Sequence, residues 1–233
     1  MPAYFVTGTD TDAGKTLATA GLLALARHQG LTTLGLKPVA SGCRRTSAGL
    51  RNDDALALQS RSEPAVPYAV VNPFAFAPAI APHLAARRDD RLVTLTALAS
   101  HVEPLLDGPQ DLILIEGAGG WRVPLNDSED LSGLALRLEL PVILVVGLKL
   151  GCISHARLTA EAIQADGLRL AGWIGNLLDA DFATDTTLYE ENLVTLERTL
   201  PGPCLGILPR LDAVDEQRRP ESAATCLVLP DDD

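Results

Sequence analysis

The chain reads as an α/β protein with a mostly parallel central sheet flanked by helices. Three observations carry that expectation. Short apolar runs rich in β-branched residues alternate with longer stretches of helical period. The runs are near-continuous in apolar character, as in Leu112-Ile113-Leu114-Ile115, which is the pattern of strands buried on both faces. Hydrophobic residues make up 47% of the chain and aromatics only 4%, so the core has to be built from Leu, Ala, Val and Ile.

In chain order the strand candidates are Ala3–Thr7, Thr33–Lys37, Asp111–Glu116, Val142–Gly147, Leu170–Asn176 and Cys204–Leu208, most of them bounded by Gly, Pro, Asp or Asn. Between them Lys15–His28, Val93–Leu106, Ser154–Ala165 and Thr184–Thr199 have helical length and apolar spacing. The β-α-β-α order implies right-handed crossovers between parallel strands. Ligands of such sheets bind at the carboxyl ends of the strands, so the residues just after each run are the candidates for chemistry. Phe74–Arg91, with Pro78 and Pro82, is the longest irregular stretch, and the acidic end Pro230–Asp233 is expected to fray. With no internal repeat and no linker-like composition shift, residues 1–233 are expected to form one domain.

The formal charge of −11 has no Lys/Arg-rich run to offset it, so nucleic acid and anionic lipid are excluded as partners. An anionic ligand must then be captured by a local positive site. Four scattered cysteines, Cys43, Cys152, Cys204 and Cys226, form no CxxC pair and read as reduced thiols. No apolar stretch approaches membrane-spanning length and no basic leader precedes the first strand, so a cytoplasmic location is expected.

The local positive site follows the first strand. Gly8-Thr9-Asp10-Thr11-Asp12-Ala13-Gly14-Lys15-Thr16 enters an Ala/Leu-rich helix, the strand–loop–helix context of a phosphate loop. In that reading backbone N–H groups cradle phosphates, Lys15 neutralises charge on them, and the Thr16 hydroxyl reaches Mg²⁺. The architecture is therefore expected to be that of P-loop nucleoside triphosphate hydrolases. The strict pattern is not met: Thr9 stands where its first glycine belongs, so the loop is one residue longer.

Mg²⁺ takes one or two carboxylates together with phosphate oxygens and water. Glu116 ends a strand beside Gly117-Ala118-Gly119-Gly120 and is the first candidate. Asp54 opens a helical stretch behind Asn52-Asp53, where a first-turn acid would serve the helix equally well. Lys37 stands at a strand's carboxyl end before Pro38, a position that favours function over a surface role.

Taken together these segments resemble the dethiobiotin synthetase family. The resemblance is carried by Tyr4–Thr11, Gly14-Lys15-Thr16, Lys37–Gly42, Arg51–Ala55, Glu116–Gly120 and Pro141–His155, with weaker matches near Asn176 and Pro209. It implies a homodimeric enzyme that joins CO₂ or bicarbonate to 7,8-diaminononanoate using ATP and Mg²⁺. Within it Thr16, Asp54 and Glu116 match metal positions; Asp12, Ala13, Gly14, Lys15, Thr16 and Leu17 match the phosphate-binding stretch. Gly117, Ala118 and Gly119 lie beside the nucleotide, Lys37, Lys15 and Thr11 match catalytic positions, and Ser41 meets substrate. Asn176 and Leu177 match the adenine contact, and Pro209, Arg210 and Leu211 match the loop over the base. Leu150, Gly151, Cys152 and Ser154 match a segment that holds the substrate carboxylate from the partner subunit; an ordinary capped helix start is the plain alternative. Asp12 stands where Glu is frequent and Ser154 where Asn is frequent. An insertion between Leu211 and Pro220 leaves Glu221 as the better ribose match, with Glu216 second.

Two other classes share the architecture. A glutamine-dependent amidoligase is expected to need a glutaminase domain and a cysteine in a nucleophile-elbow context, and neither is evident. A partitioning or positioning ATPase is expected to carry a further lysine in the loop, whereas Thr9–Ala13 has none.

Overall fold

The computed structural model describes residues 2–231. Six strands form one sheet: β1 (Ala3–Gly8), β2 (Thr33–Leu36), β3 (Leu112–Glu116), β4 (Val142–Leu148), β5 (Leu170–Leu177) and β6 (Cys204–Leu208). The spatial order is β6-β5-β4-β1-β3-β2, and every pairing is parallel. Thus β1 lies inside the sheet between β3 and β4, and the loop that follows it opens at the strands' carboxyl edge.

Burial explains the apolar runs. All residues of β2, β3 and β4 are buried, as the near-continuous sequence required. One face carries α1 (Lys15–His28), α2 (Asp53–Gln59) and α6 (Arg219–Ala224), with Leu22, Leu23, Leu58 and Ala223 packed on Tyr4, Leu114 and Ile143. The other carries α3 (Leu95–Leu106), α4 (Cys152–Ala165) and α5 (Thr186–Thr199), where Leu98, Val102, Ala156, Ile163 and Leu196 surround Ile113, Leu144 and Trp173. Aromatic packing is confined to a few places, such as the edge-to-face contact of Phe5 with Trp121 at 6.0 Å.

Several expected boundaries move. Helix α4 starts at Cys152 rather than Ser154, capped by Gly151 at φ 94°, so Ser154 lies inside the first turn and is not the cap. Helix α3 starts behind the Thr94 cap and α5 behind the Asp185 cap, each hydroxyl or carboxylate accepting a backbone N–H three residues on. The stretch expected to be irregular holds a strand, Phe74–Ala75, paired with Val39–Ala40, and a helix, Pro82–Arg88. The end of the chain is tied down to Asp231: Val228 N–H donates to the Leu205 carbonyl at 2.8 Å and Pro230 is buried. Asp232 and Asp233, also expected to fray, lie outside the described residues.

Candidate active site

The loop between β1 and α1 is held from the side by β4. Thr9 N–H donates to the Val145 carbonyl at 2.9 Å, and the Thr9 hydroxyl accepts from Gly147 N–H at 3.3 Å. A glycine could supply the first bond and not the second, which gives the threonine at this position a job. At the loop's far end Gly14 has φ 94°, and a Cβ there would lie 2.0 Å from Asn176 Nδ2. Only glycine fits, by conformation and by space.

Three elements converge below this loop. Lys15 and Thr16 open α1, Lys37 follows β2, and Glu116 ends β3. Because β3 pairs with both β1 and β2, these residues meet at one sheet edge. The Thr16 hydroxyl donates to Glu116 Oε1 at 2.9 Å, and Lys37 Nζ donates to the same oxygen at 2.6 Å and to the Gly117 carbonyl at 2.9 Å. Asp54 Oδ2 is 3.3 Å from Lys37 Nζ.

Asp54 is free for this position because the neighbouring Asn52 takes over the helix cap, its Oδ1 accepting from Ala55 N–H at 3.1 Å. Asn52 and Asn72 were not among the sequence candidates. Asn72 donates to the Lys37 carbonyl at 2.6 Å and so fixes the backbone that carries the lysine. For Asn52 the signal was present, an asparagine directly before a helical acid pair; for Asn72 there was none.

Charge in the cleft is strongly buried. Glu116 is 1% exposed and Lys37 4%. For Lys37 burial is the largest single influence and lowers its pKa, but the attraction and hydrogen bonds of Glu116 and Asp54 together outweigh it, so the net shift is upward. Lys15 goes the other way: burial first, then repulsion from Lys37, lower it to about 8 against the attraction of Glu116, Asp54 and Asp12. Its ammonium donates to the Asp10 carbonyl at 2.9 Å within its own loop. Glu116 Oε2 is buried with no hydrogen-bond partner. An orphaned carboxylate oxygen beside a hydroxyl and a second carboxylate is a donor set fitted to a hard divalent cation.

The resulting cleft has a volume of about 410 Å³ and is lined by Thr11, Asp12, Lys15, Thr16, Lys37, Ser41, Asp54, Glu116, Ala118 and Gly119, among others. A smaller one of about 150 Å³ joins Leu17, Asn176, Leu177, Pro209, Arg210 and Leu211. Sequence positions as far apart as 17 and 211 are thus brought to one place. A larger cavity near His83, about 460 Å³, lies among Arg87, Asn126 and Glu129 and shares no residue with either.

Comparison with known proteins decides the family. A family model described as an AAA domain matches residues 2–218. The ATP-dependent dethiobiotin synthetase BioD of Chromohalobacter salexigens is 67% identical, with 100% of both chains covered. Those of Cellvibrio japonicus and Pseudomonas aeruginosa (strain UCBPP-PA14) are 58% and 56% identical, covering 90% and 98% of this chain and 90% and 97% of their own. The chain belongs to the ATP-dependent dethiobiotin synthetase family. Among solved structures, a chain of the MinC:MinD cell division protein complex of Aquifex aeolicus aligns with TM-score 0.61 at 17% identity, over 97% of this chain and 92% of the other. Pyrococcus horikoshii MinD complexed with Mg-ADP aligns with TM-score 0.54 at 17% identity, over 94% and 86%. Those likenesses establish the P-loop fold.

Several positions matched to the synthetase family are placed differently from expectation. Asn176 does line the smaller cleft, yet its Nδ2 donates to the Ala13 carbonyl at 3.1 Å, so it also supports the phosphate loop. Gly117 does not line the cleft; its carbonyl receives Lys37, and a Cβ on it would meet the Phe5 ring at 3.0 Å. Glu221 lines neither cleft. It pairs with His28 at 2.7 Å and with Arg61 at 3.5 Å. His28 ends α1, so at 1.5 Å per residue this pair lies roughly 20 Å along the helix from Lys15. In this structure α6 turns its first-turn acid toward the end of α1. Asp212 and Arg219 line the smaller cleft instead, where sequence reading had not placed them.

Leu150, Gly151 and Ser154 lie outside the cleft of their own chain, lining a surface groove with Arg157 and Leu158. Leu150 is 90% exposed. The Cys152 amide donates to the Lys149 carbonyl at 3.0 Å, so it is not available to a ligand, and the Cys152 side chain is buried.

Proposed function

We propose that this chain closes the ureido ring of dethiobiotin from 7,8-diaminononanoate and CO₂, with ATP as co-substrate and Mg²⁺ as cofactor. The observation that carries the reading is the convergence of Lys37, Thr16, Asp54 and the orphaned Glu116 oxygen directly below the phosphate loop. A cleft so arranged is built to manage a migrating phosphoryl group.

The chemistry requires such a site. An amine of the substrate adds to CO₂ and loses a proton, giving a carbamate, which is a poor electrophile. Transfer of the ATP γ-phosphoryl group to a carbamate oxygen leaves ADP and a carbamic-phosphoric mixed anhydride. The second amine attacks its carbonyl carbon, inorganic phosphate departs with the C–O bond, a proton is released, and the ring is closed.

Each residue has a part in this sequence. Backbone N–H groups of Asp12 to Leu17 hold the phosphates, and Lys15 leaves the Asp10 carbonyl to meet them. Lys37, immobilised by Glu116 and the Gly117 carbonyl, presents fixed positive charge where negative charge develops on the transferring group. Thr16, Asp54 and Glu116 would hold Mg²⁺, which neutralises phosphate oxygens when bound. Thr11 and Ser41, which line the same cleft, would orient the diamine. Leu17, Asn176, Leu177 and the Pro209–Leu211 loop form the seat for the base.

We further infer a homodimer. The exposed Leu150 and Leu158 beside Gly151 suit burial against a second copy, and the amides of Leu150 and Gly151 would then reach the substrate carboxylate in the partner's cleft. No helix among the described residues is long and apolar enough to cross a membrane. Four unpaired cysteines support a reducing, cytoplasmic setting.

ATP turnover measured with and without diamine and bicarbonate tests the reading. A synthetase releases ADP only with both present, whereas turnover indifferent to them would favour a nucleotide-controlled switch.

A further inference from the structure

Lys37 has a second relationship to the cleft besides its place beside the phosphoryl group. Its ammonium lies between the two carboxylates that the proposed function assigns to the metal, 2.6 Å from Glu116 Oε1 and 3.3 Å from Asp54 Oδ2. It is 4% exposed and held by a third bond, to the Gly117 carbonyl, so it cannot drift into solvent. The formal charges of Lys15, Lys37, Asp54 and Glu116 cancel, and the exposed Asp12, which lines the same cleft, adds one negative charge. A divalent cation arriving alone would meet an ammonium already bonded to Glu116 Oε1 and paired with Asp54 Oδ2. A cation arriving on a nucleotide brings its own phosphate oxygens and negative charge.

We infer that Lys37 is a selectivity element that admits the divalent cation to the Asp54–Glu116 pair only together with a nucleotide, by occupying those carboxylates against the bare ion. This rests on the metal reading above. It assigns the same side chain two tasks with different consequences, one in turnover and one in binding order. The opposite arrangement, a cleft primed for the bare cation, would need both carboxylates free of the ammonium, and replacing Lys37 with a neutral residue frees them of it.

The test is Mn²⁺ binding followed by electron paramagnetic resonance at pH 7, where Lys15 is still largely protonated. Wild type, Lys37→Met and Lys37→Gln are compared without nucleotide and with an unreactive imido analogue of ATP. Removing a unit charge a few ångströms from the ion should tighten nucleotide-free Mn²⁺ binding by at least about tenfold in both variants. Adding Glu116→Gln to Lys37→Gln should abolish the gain. Lys37→Gln keeps a hydrogen-bond donor for Glu116, so it guards against misfolding of the methionine variant, and circular dichroism checks both. If the folded variants bind bare Mn²⁺ no tighter than wild type, while wild type takes up Mn²⁺ with the analogue, the inference is overturned and the metal reading stands. If no protein retains Mn²⁺ even with the analogue, the metal reading fails and takes the inference with it.

Discussion

The Asn176 side-chain amide donates to the Ala13 carbonyl at 3.1 Å, and the same nitrogen occupies the space that a Cβ on Gly14 would need. One buried asparagine at the end of β5 therefore fixes the crest of the phosphate loop and borders the smaller cleft proposed as the seat for the base. Loop and smaller cleft are mechanically joined through it.

Gly14→Ala should damage both. Backbone strain at positive φ, with a forced shift of Asn176, is expected to cost at least about 1 kcal/mol and lower Tm by ~2 °C or more. Nucleotide affinity should fall with it by at least about tenfold, since loop amides lose their alignment. Thermal melts and fluorescent nucleotide titration check this; unchanged affinity would mean that the loop tolerates displacement of Asn176.

Removing Lys37 and removing its partner should have different signatures. Lys37→Leu is expected to reduce kcat by at least about tenfold with nucleotide binding retained, as for lost stabilisation of developing charge. Glu116→Ala leaves the Lys37 ammonium buried beside Asp54 alone, so it should cost both activity and stability, the latter by roughly 3–5 kcal/mol. Steady-state kinetics and denaturant unfolding separate the two. A Lys37→Leu enzyme with raised KM for ATP and normal kcat would assign the lysine to ground-state binding.

Lys15 gives a pH prediction. Its pKa in the fold, about 8, lies below the ordinary 10.5, so between those values the unfolded chain binds more protons than the folded one. Its contribution therefore makes the fold more stable as pH rises through that window. Phosphates favour the charged lysine, so nucleotide binding at pH 8.5 should take up more than about half a proton, and at pH 7 close to none. Calorimetry in two buffers of different ionisation enthalpy measures it. Uptake that persists in Lys15→Met would assign the proton elsewhere.

The sheet was legible because its strands are buried on both faces: the apolar run Leu112–Ile115 admits little else, and all six strands appear within one or two residues of their expected bounds. Lys15, Thr16, Lys37, Asp54 and Glu116 could be found because each ends or follows a strand or opens a helix, where topology alone brings them to one edge. What failed was local. Gly151 rather than Ser154 caps α4, because a glycine at positive φ can begin a helix without a side-chain acceptor. The pairing of Glu221 with His28 was not foreseen either, since spacing does not say that α6 lies along α1. The roles of Asn72 and Thr9 are long-range hydrogen bonds, which no local pattern encodes.

Subunit mixing tests the proposed shared site. Gly151 has φ 94°, which proline cannot adopt, and the space around it is open, so Gly151→Pro should disturb the loop and little else. Lys37→Leu subunits mixed with Gly151→Pro subunits should recover activity approaching about a quarter of wild type, one restored site in each mixed dimer. Confirmed exchange without recovery, in a Gly151→Pro protein with normal circular dichroism, would place both groups in the same subunit's site.

The most direct measurement follows carbon from bicarbonate. With ¹³C-bicarbonate, 7,8-diaminononanoate, ATP and Mg²⁺, the wild-type protein should yield dethiobiotin labelled at the ring carbonyl, with ADP and phosphate released in step with each ring closed. Mass spectrometry of the product and a coupled ADP assay read both quantities at once. ATP consumed without labelled ring, or at the same rate when the diamine is left out, would contradict the assignment of this cleft to ureido ring closure.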